Sequence, residues 1–312
     1  MPQIVISEFM YEPAVERLKA RYDTLYDPAL VDQPERLADA VAEATVLVVR
    51  NRTQVRGGLL EAARRLKCVG RLGVGLDNID VAACAERGIA VYPATGANDD
   101  SVAEYVLAAA LLLLRSVWHS SDEVAAGQWP RQKLGQGREI AGRTLGLVGY
   151  GAIGMRLGRL AGGVGMSVIA FDPAIPASDA RWASAKRMET LGELLGTADV
   201  VSLHVPLVPS TRHLIGEAAI RRMKPGAVLI NAARGGVVDE AALCRALREG
   251  RLGGAALDVF EKEPVDAKSG ALFAGCPNLL LTPHIAGVTA DSNERVSELI
   301  ADRVIAHLEG RS

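Results

Sequence analysis

Side chains that hold or exchange charge stand just beyond short apolar runs throughout the second half of this 312-residue chain. Asp172 follows "SVIAF", His204 follows "VVSL" with Pro206 close behind, and Arg234 follows "VLINAA". Asp258 follows "GAAL" with Glu263 soon after in "FEKEP", and His284 follows "LLLTP". Short apolar runs bounded by turn residues read as buried strands, and in an open α/β sheet ligands sit at the carboxyl ends of the strands. A guanidinium offers a permanent charge and a planar fork of donors, the shape that grips a carboxylate. An imidazole exchanges a proton near neutrality. Taken singly, His204 reads as a capped loop histidine, Arg234 as a surface residue ahead of a helix, and Glu263 as a solvated acid. Together, on one sheet edge, they read as a site.

The same edge carries a glycine pattern with the right surroundings. In "LGLVGYGAIGMRLGRL", Gly149, Gly151 and Gly154 form GxGxxG directly after an apolar strand and at the start of a helix, the context that a bare glycine pattern lacks. Glycines so placed permit a tight turn, close approach of backbone to a pyrophosphate, and close packing of helix on strand, with the helix N-terminus facing the phosphates. Asp172 closes the next strand, where a carboxylate accepts hydrogen bonds from an adenosine ribose diol and repels a 2′-phosphate. No arginine follows in "DPAIPA", so NAD is favoured over NADP.

The elements that must position these groups repeat along the chain. "QIVISE", "TVLVVR" and "KCVGRLG" alternate with helical patterns near 13–21, 34–43, 57–66 and 79–87, a βαβ series that implies parallel sheet. A second series starts at "TLGLVGYG" and runs through "SVIAFD", "DVVSLHV", "GAVLINAA" and "GGAALDVF" to "LLLTPH". The fold class is therefore α/β, with two doubly wound parallel-sheet domains, as a length beyond about 250 residues also suggests. A helical pattern from about Asp100 to Gly127 lies between the series. Another, from about Thr289 to Leu308, follows the second and is free to return to the first domain. Two crossings between domains would leave a cleft with a hinge.

Composition narrows the partners. Apolar residues make up 49% and aromatics only 4%, which suits aliphatic cores around buried parallel strands. A formal charge of −2 offers no basic stripe to nucleic acid or to an anionic membrane. "MPQIVISEFM" lacks the basic start of a secretory signal, and the apolar run "VLAAALLLL" is too short for a bilayer span; a cytoplasmic protein is expected. Cys68, Cys84, Cys244 and Cys276 are too scattered for a metal knuckle or a redox pair and are expected to be core thiols, with no metal site.

"GYGAIG", "HVPL", "NAARGGVVDEAAL", "ALDVFEKEP" and "LLTPHIAG", in this order, resemble the D-isomer-specific 2-hydroxyacid dehydrogenases, the family of phosphoglycerate dehydrogenase and hydroxypyruvate reductase. "GRLGVGLDNID" and "ANDDSVAEYVLAAALLLLR" extend the likeness over essentially the whole chain. The resemblance implies a Rossmann NAD-binding domain, 98–286, inserted into a flavodoxin-like substrate (lid) domain formed by 1–97 plus 287–312. It implies a catalytic set of Arg234, Glu263 and His284. It also implies an NAD site lined by Gly149, Gly151, Ala152, Ile153, Gly154, Asp172, His204, Pro206, Ala232, Ala233, Arg234, Asp258 and His284 through Gly287. Oxidising a 2-hydroxy acid removes a hydride from C2 and a proton from the hydroxyl, so a base is needed within hydrogen-bond reach. His284 suits that role, with Glu263 on its far ring nitrogen to fix the tautomer and favour the imidazolium. Arg234 would bind the substrate carboxylate and polarise the C2 oxygen, with Gly235 and Gly236 leaving room for it. Backbone N–H groups of Val74 and Gly75 would meet the same carboxylate.

Substrate identity is less legible. Arg50, Asn51 and Arg52 follow a strand of the first domain, where relatives acting on phosphoglycerate bind the distal phosphate; a solvated basic loop is the competing reading. "ISEFM", "RNRTQVRG" and "GRLGVGLDNID" resemble the sulfolactate dehydrogenases of this family, so a small acid with a second anionic group is expected, ahead of glyoxylate or hydroxypyruvate. The sequence as given ends at Ser312, so the C-terminal regulatory domain of longer phosphoglycerate dehydrogenases is not expected. Glu263 separates the chain from formate dehydrogenases of this fold, which carry a glutamine there. An NAD-sensing corepressor is the reading from another functional class. "VWHSSDEVAAGQWPRQ" resembles the arm, about 100–140, through which such proteins form homodimers, with Trp118 and Trp129 expected at an interface or in a core rather than in catalysis, and Trp129 or Arg131 reaching a neighbour's site. Replacing Asp172 by alanine should narrow the preference for NAD over NADP in kcat/KM; an unchanged ratio would remove that carboxylate from cofactor choice.

Overall fold

The computed structural model describes residues 2–117 and 120–311. Trp118 lies outside the described residues. Contacts divide the chain into two compact units, one formed by Met1–Asn98 with Val288–Ser312 and the other by Asp99–Gly287.

The smaller unit is built on a parallel sheet whose described strands are β1 (Ile4–Ile6), β2 (Thr24–Tyr26), β3 (Val46–Val49), β4 (Cys68–Arg71) and β5 (Ala90–Pro93), in the order β2-β1-β3-β4-β5. That is the flavodoxin-like order. Strands β1 and β3 are buried throughout because both faces are covered. Successive side chains point to opposite faces, so Ile4, Ile6, Val46 and Val48 pack with Val15 and Leu18 of helix Glu12–Lys19 and with Ile300 and Val304 of helix Ala290–Leu308. Val5, Leu47, Val49 and Val69 instead meet Leu37, Leu60 and Cys84 from the helices on the other face. A Cβ at Gly70 would stand 2.7 Å from Ile300 Cγ2, so the bare glycine lets the last helix sit tight on β4. Thr289 starts that helix with a reciprocal capping box to Ser292.

The larger unit carries β6 (Thr144–Val148), β7 (Ser167–Phe171), β8 (Lys186–Arg187), β9 (Val200–Leu203), β10 (Val228–Asn231), β11 (Gly254–Leu257) and β12 (Leu279–Leu281), all parallel and ordered β12-β11-β10-β9-β6-β7-β8. The direction of winding reverses between β6 and β9, the switch point of a Rossmann sheet. Val102, Val106, Ala110 and Leu113 of helix Asp99–Arg115 pack on one face with Leu145, Leu147, Ile230 and Ala256. The opposite face packs Val201, Leu203, Leu229 and Leu257 against Leu194, Leu243 and Leu247.

The fold class is the α/β arrangement of two parallel sheets expected from the alternation of apolar runs. The helical pattern from Asp100 to Gly127 is not one helix, however. It stops at Arg115, because Ser116 turns to φ 52° and its hydroxyl folds back on Leu113 O at 3.3 Å; a second helix runs over Ser120–Ala125. Strands β2, β5 and β8 left no clear apolar run in the sequence because each is short and at best half-buried. Among the described residues no helix is long and apolar enough to cross a membrane.

Candidate active site

The glycine turn joins β6 to helix Ala152–Gly163, and each glycine has its own reason. Gly149 has φ 92°, and a Cβ there would stand 2.5 Å from His204 O. A Cβ at Gly154 would press on Gly149 O at 2.6 Å. Gly151, at the N-cap, differs: nothing lies within 4 Å of where its Cβ would be, and no side chain caps the helix. A helix N-terminus without a capping side chain presents N–H donors and positive potential at that opening, beginning with Ala152 and Ile153. At the end of β7, Asp172 accepts from Tyr150 N at 2.9 Å and Ala174 N at 3.0 Å, which fixes its carboxylate beside the turn. The opening at Gly151, the donors behind it and the Asp172 carboxylate fit the diphosphate and ribose diol of a dinucleotide. Tyr150, inconspicuous as the second residue of the motif, is fully buried; it stacks on Trp182 at 5.3 Å and its hydroxyl lies 2.8 Å from Ser184 Oγ. His204 follows β9 with Nε2 2.9 Å from Ser202 Oγ, and burial pushes its imidazole down to about 4. Its ring is therefore neutral at ordinary pH.

Three further strand ends carry the titratable groups. Asn231, 1% exposed at the end of β10, donates to Arg234 O at 2.9 Å and accepts from Ala233 N at 3.1 Å, so one amide closes the turn over Ala232–Arg234. Arg234 is half-buried, and its Nη1 donates to Ala233 O at 2.6 Å. Beyond β11, Glu263 Oε1 accepts from Phe260 N at 2.9 Å and Oε2 lies 2.7 Å from His284 Nδ1. Burial by itself would raise the Glu263 pKa, but the bonds to His284 and Phe260 N–H and the charges of His284 and Arg234 prevail and hold it below the ordinary carboxylate value. His284 follows β12 with φ 58°, and its N–H donates to Asp258 O at 2.9 Å. The Asp258 carboxylate is 1% exposed and is engaged by Thr282 Oγ1, Ile285 N and Ala286 N at 2.7–2.8 Å. With Nδ1 on Glu263, the ring nitrogen left to exchange a proton is Nε2.

Comparison with known proteins agrees with this geometry. Residues 107–286 match the family model described as "D-isomer specific 2-hydroxyacid dehydrogenase, NAD binding domain". The (S)-sulfolactate dehydrogenase of Chromohalobacter salexigens is 53% identical over 304 residues, 97% of each chain. The D-3-phosphoglycerate dehydrogenase of Methanocaldococcus jannaschii is 37% identical over 99% of this chain, which spans 58% of that enzyme's length. The chain belongs to the D-isomer-specific 2-hydroxyacid dehydrogenases. A crystal structure of D-lactate dehydrogenase from Aquifex aeolicus, complexed with NAD and lactic acid, superposes with TM-score 0.85 at 29% identity, covering 99% of this chain and 96% of that one. As a member of the family the protein is an oxidoreductase with NAD as its cofactor.

Several residues of this dehydrogenase are placed differently from the sequence reading. Gly235 does not clear space for the guanidinium. A Cβ there would fall 1.7 Å from Phe260 O, so it is the backbone leading to Glu263 that needs the space, while Gly236 supplies a φ of 79° to the turn. Arg50 and Arg52 have different surroundings. Arg52 is exposed and ion-paired with Asp32, whereas Arg50 is half-buried, donates to Asn293 Oδ1 at 2.5 Å and lies 5.8 Å from the Phe9 ring centroid. Burial lowers the Arg50 pKa against the pull of Glu8. Glu8, given no role of its own within "ISEFM", is 5% exposed and accepts from the N–H groups of Arg50, Arg52 and Thr53 at 2.8–3.1 Å, pinning the loop after β3. Asn51 is exposed. Val74 and Gly75 are half-buried, and among the described residues their N–H groups make no backbone hydrogen bond. Cys244 and Cys276, distant in sequence, pack in the same core, and burial first, then Cys276, pushes the Cys244 thiol up to about 12. Gly235→Ala should lower stability by about 1–3 kcal/mol, as overpacking does, and lower kcat by displacing Glu263. A wild-type urea midpoint would refute the contact with Phe260.

Proposed function

We propose that this enzyme oxidises a small 2-hydroxy acid bearing a second anionic group, with sulfolactate the foremost substrate. The observation that carries the chemistry is the Glu263–His284 pair, in which a carboxylate held by Phe260 N–H occupies Nδ1 and leaves Nε2 for the substrate hydroxyl. NAD, when bound, supplies the hydride acceptor. His284 takes the hydroxyl proton as the C2 hydride leaves, giving the 2-oxo acid, and returns that proton in the reductive direction. Glu263 stabilises the imidazolium formed. Arg234 binds the C1 carboxylate and polarises the C2 oxygen with its fixed charge. The choice of sulfolactate is supported by the 53% identity to the Chromohalobacter salexigens enzyme. Arg50, rather than Arg52, is the cation we assign to the second anionic group, because Arg52 is already ion-paired with Asp32; Asn51, Val74 and Gly75 are the neighbouring groups we assign to substrate.

An NAD-coupled panel of sulfolactate, 3-phosphoglycerate, glycerate, lactate and malate tests this reading. Sulfolactate should give the highest kcat/KM, and Arg50→Gln should raise KM for sulfolactate at least about tenfold more than for lactate, the scale of one charge-assisted contact. A higher kcat/KM on 3-phosphoglycerate or lactate would overturn the substrate assignment, and ligand-dependent partner binding without NADH formation would favour a corepressor-like role.

We also infer a homodimer through the 100–140 arm. The inference is supported by exposed apolar side chains there, Leu111, Leu112, Val117 and Val124 with Trp129 at 77% exposure, since clustered apolar surface marks association sites. Light scattering should give twice the 33.0 kDa chain mass; a monomer would remove the inference.

A further inference from the structure

The loop that bears His284 is tied to the helix Asp99–Arg115 by a chain of hydroxyls. Tyr105 on that helix places its oxygen 2.6 Å from Thr282 Oγ1, and Thr282 Oγ1 lies 2.7 Å from Asp258 Oδ1. A threonine hydroxyl has one proton, and an ionised carboxylate only accepts. The Thr282 proton therefore goes to Asp258, and Tyr105 must donate to Thr282. The polarity of the chain is set: Tyr105 O–H to Thr282, Thr282 O–H to Asp258. Burial pushes the Tyr105 phenol up, assisted by the Asp258 charge and opposed by the Thr282 bond, so the donor stays protonated. From Asp258 the chain reaches both sides of His284. Its Oδ1 and Oδ2 accept from Ile285 N and Ala286 N at 2.8 Å, and its carbonyl accepts from His284 N at 2.9 Å. His284 itself holds φ 58°, a left-handed conformation that a residue with a Cβ adopts rarely and at a cost. Such a conformation persists where its surroundings over-determine it.

We propose that Tyr105 is a positioning residue for His284, acting through Thr282 and Asp258 to hold the 282–286 loop in the turn that presents the imidazole for proton transfer. The inference rests on the reading of His284 as the proton-exchanging group. It assigns a task to a tyrosine on a helix that otherwise packs against the sheet and against helix Ala152–Gly163, and to a threonine to which the dehydrogenase resemblance gave no role. It also explains why a phenol is retained at a half-buried position: a phenylalanine would pack equally well but would leave Thr282 Oγ1 without its donor.

The test compares Tyr105→Phe, Thr282→Ser, Thr282→Val, the double variant Tyr105→Phe/Thr282→Val and His284→Gln with the wild type, on the panel substrate of highest kcat/KM. Tyr105→Phe should lower kcat about tenfold, the upper end for one hydrogen bond, with KM for NAD changed less than about twofold. The solvent deuterium isotope effect on kcat should rise as proton transfer becomes slower, and amide exchange at Ile285 and Ala286 should quicken. Thr282→Ser, which keeps the hydroxyl, should stay near wild type, while Thr282→Val should match Tyr105→Phe or exceed it. The double variant should be no worse than Thr282→Val alone, because one break already severs the chain. A wild-type kcat in Tyr105→Phe, equal losses in the serine and valine variants, or additive losses in the double variant would overturn the proposal while leaving an inactive His284→Gln in agreement with the proton-transfer reading. Full activity in His284→Gln would overturn that reading and this proposal together.

Discussion

The Asp258 carboxylate is almost wholly withdrawn from water and is surrounded by the hydroxyl of Thr282 and the N–H groups of Ile285 and Ala286. Burying a carboxylate costs several kcal/mol unless hydrogen bonds replace the lost hydration, so the loop after β12 is bound to whichever path brings those donors to the end of β11. That path runs through a left-handed His284 and places Nδ1 of its ring at the Glu263 carboxylate. The orientation of the imidazole thus follows from the solvation requirement of a neighbouring acid that does not touch the ring. Glu263 is held in turn by Phe260 N, and Phe260 lies where it does only because Gly235 lacks a Cβ. Arg234, Glu263 and His284 are consequently linked through backbone as well as through charge.

The smaller unit solves a similar problem in a similar way. Glu8, just past the end of β1, withdraws its carboxylate from water and takes the N–H groups of Arg50, Arg52 and Thr53. In the larger unit Asn231 does the same for the turn after β10, giving to Arg234 O and taking from Ala233 N. Loops at strand ends have few regular backbone partners, and their N–H and C=O groups must be satisfied somewhere. Short buried acids and amides satisfy them here, converting segments that would otherwise fluctuate into rigid supports for functional side chains. The same logic accounts for Asp172, whose carboxylate holds Tyr150 N of the glycine turn while the Tyr150 ring is locked against Trp182.

Much of this architecture was legible in the residue order. Buried parallel strands are continuous apolar runs, so β1, β3, β4, β6, β7 and β9 to β12 stood out, while the half-exposed edges β2, β5 and β8 did not. The GxGxxG pattern stood out because its spacing is local, although its reasons differ: Gly154 answers to Gly149 O within the turn, Gly149 to His204 O beyond the neighbouring strand, and Gly151 to no protein atom. Arg234, Glu263 and His284 were recognisable as chemically apt groups at successive strand ends, since the carboxyl edge of a doubly wound sheet can be read from the order of its strands.

Residue order alone therefore determined the two parallel sheets, the place of the nucleotide turn and the edge on which charge would gather, because these follow from short-period patterns. Tertiary structure decided which of those groups meet. It separated Arg50 from Arg52 by giving the latter to Asp32, brought Cys244 to Cys276, turned the space at Gly235 over to the Phe260 backbone, and joined Tyr105 to Thr282 and Asp258. Each of these contacts joins residues about twenty to 180 positions apart in the chain. No local periodicity carries such information; it arises only when burial forces polar groups on different elements to satisfy one another.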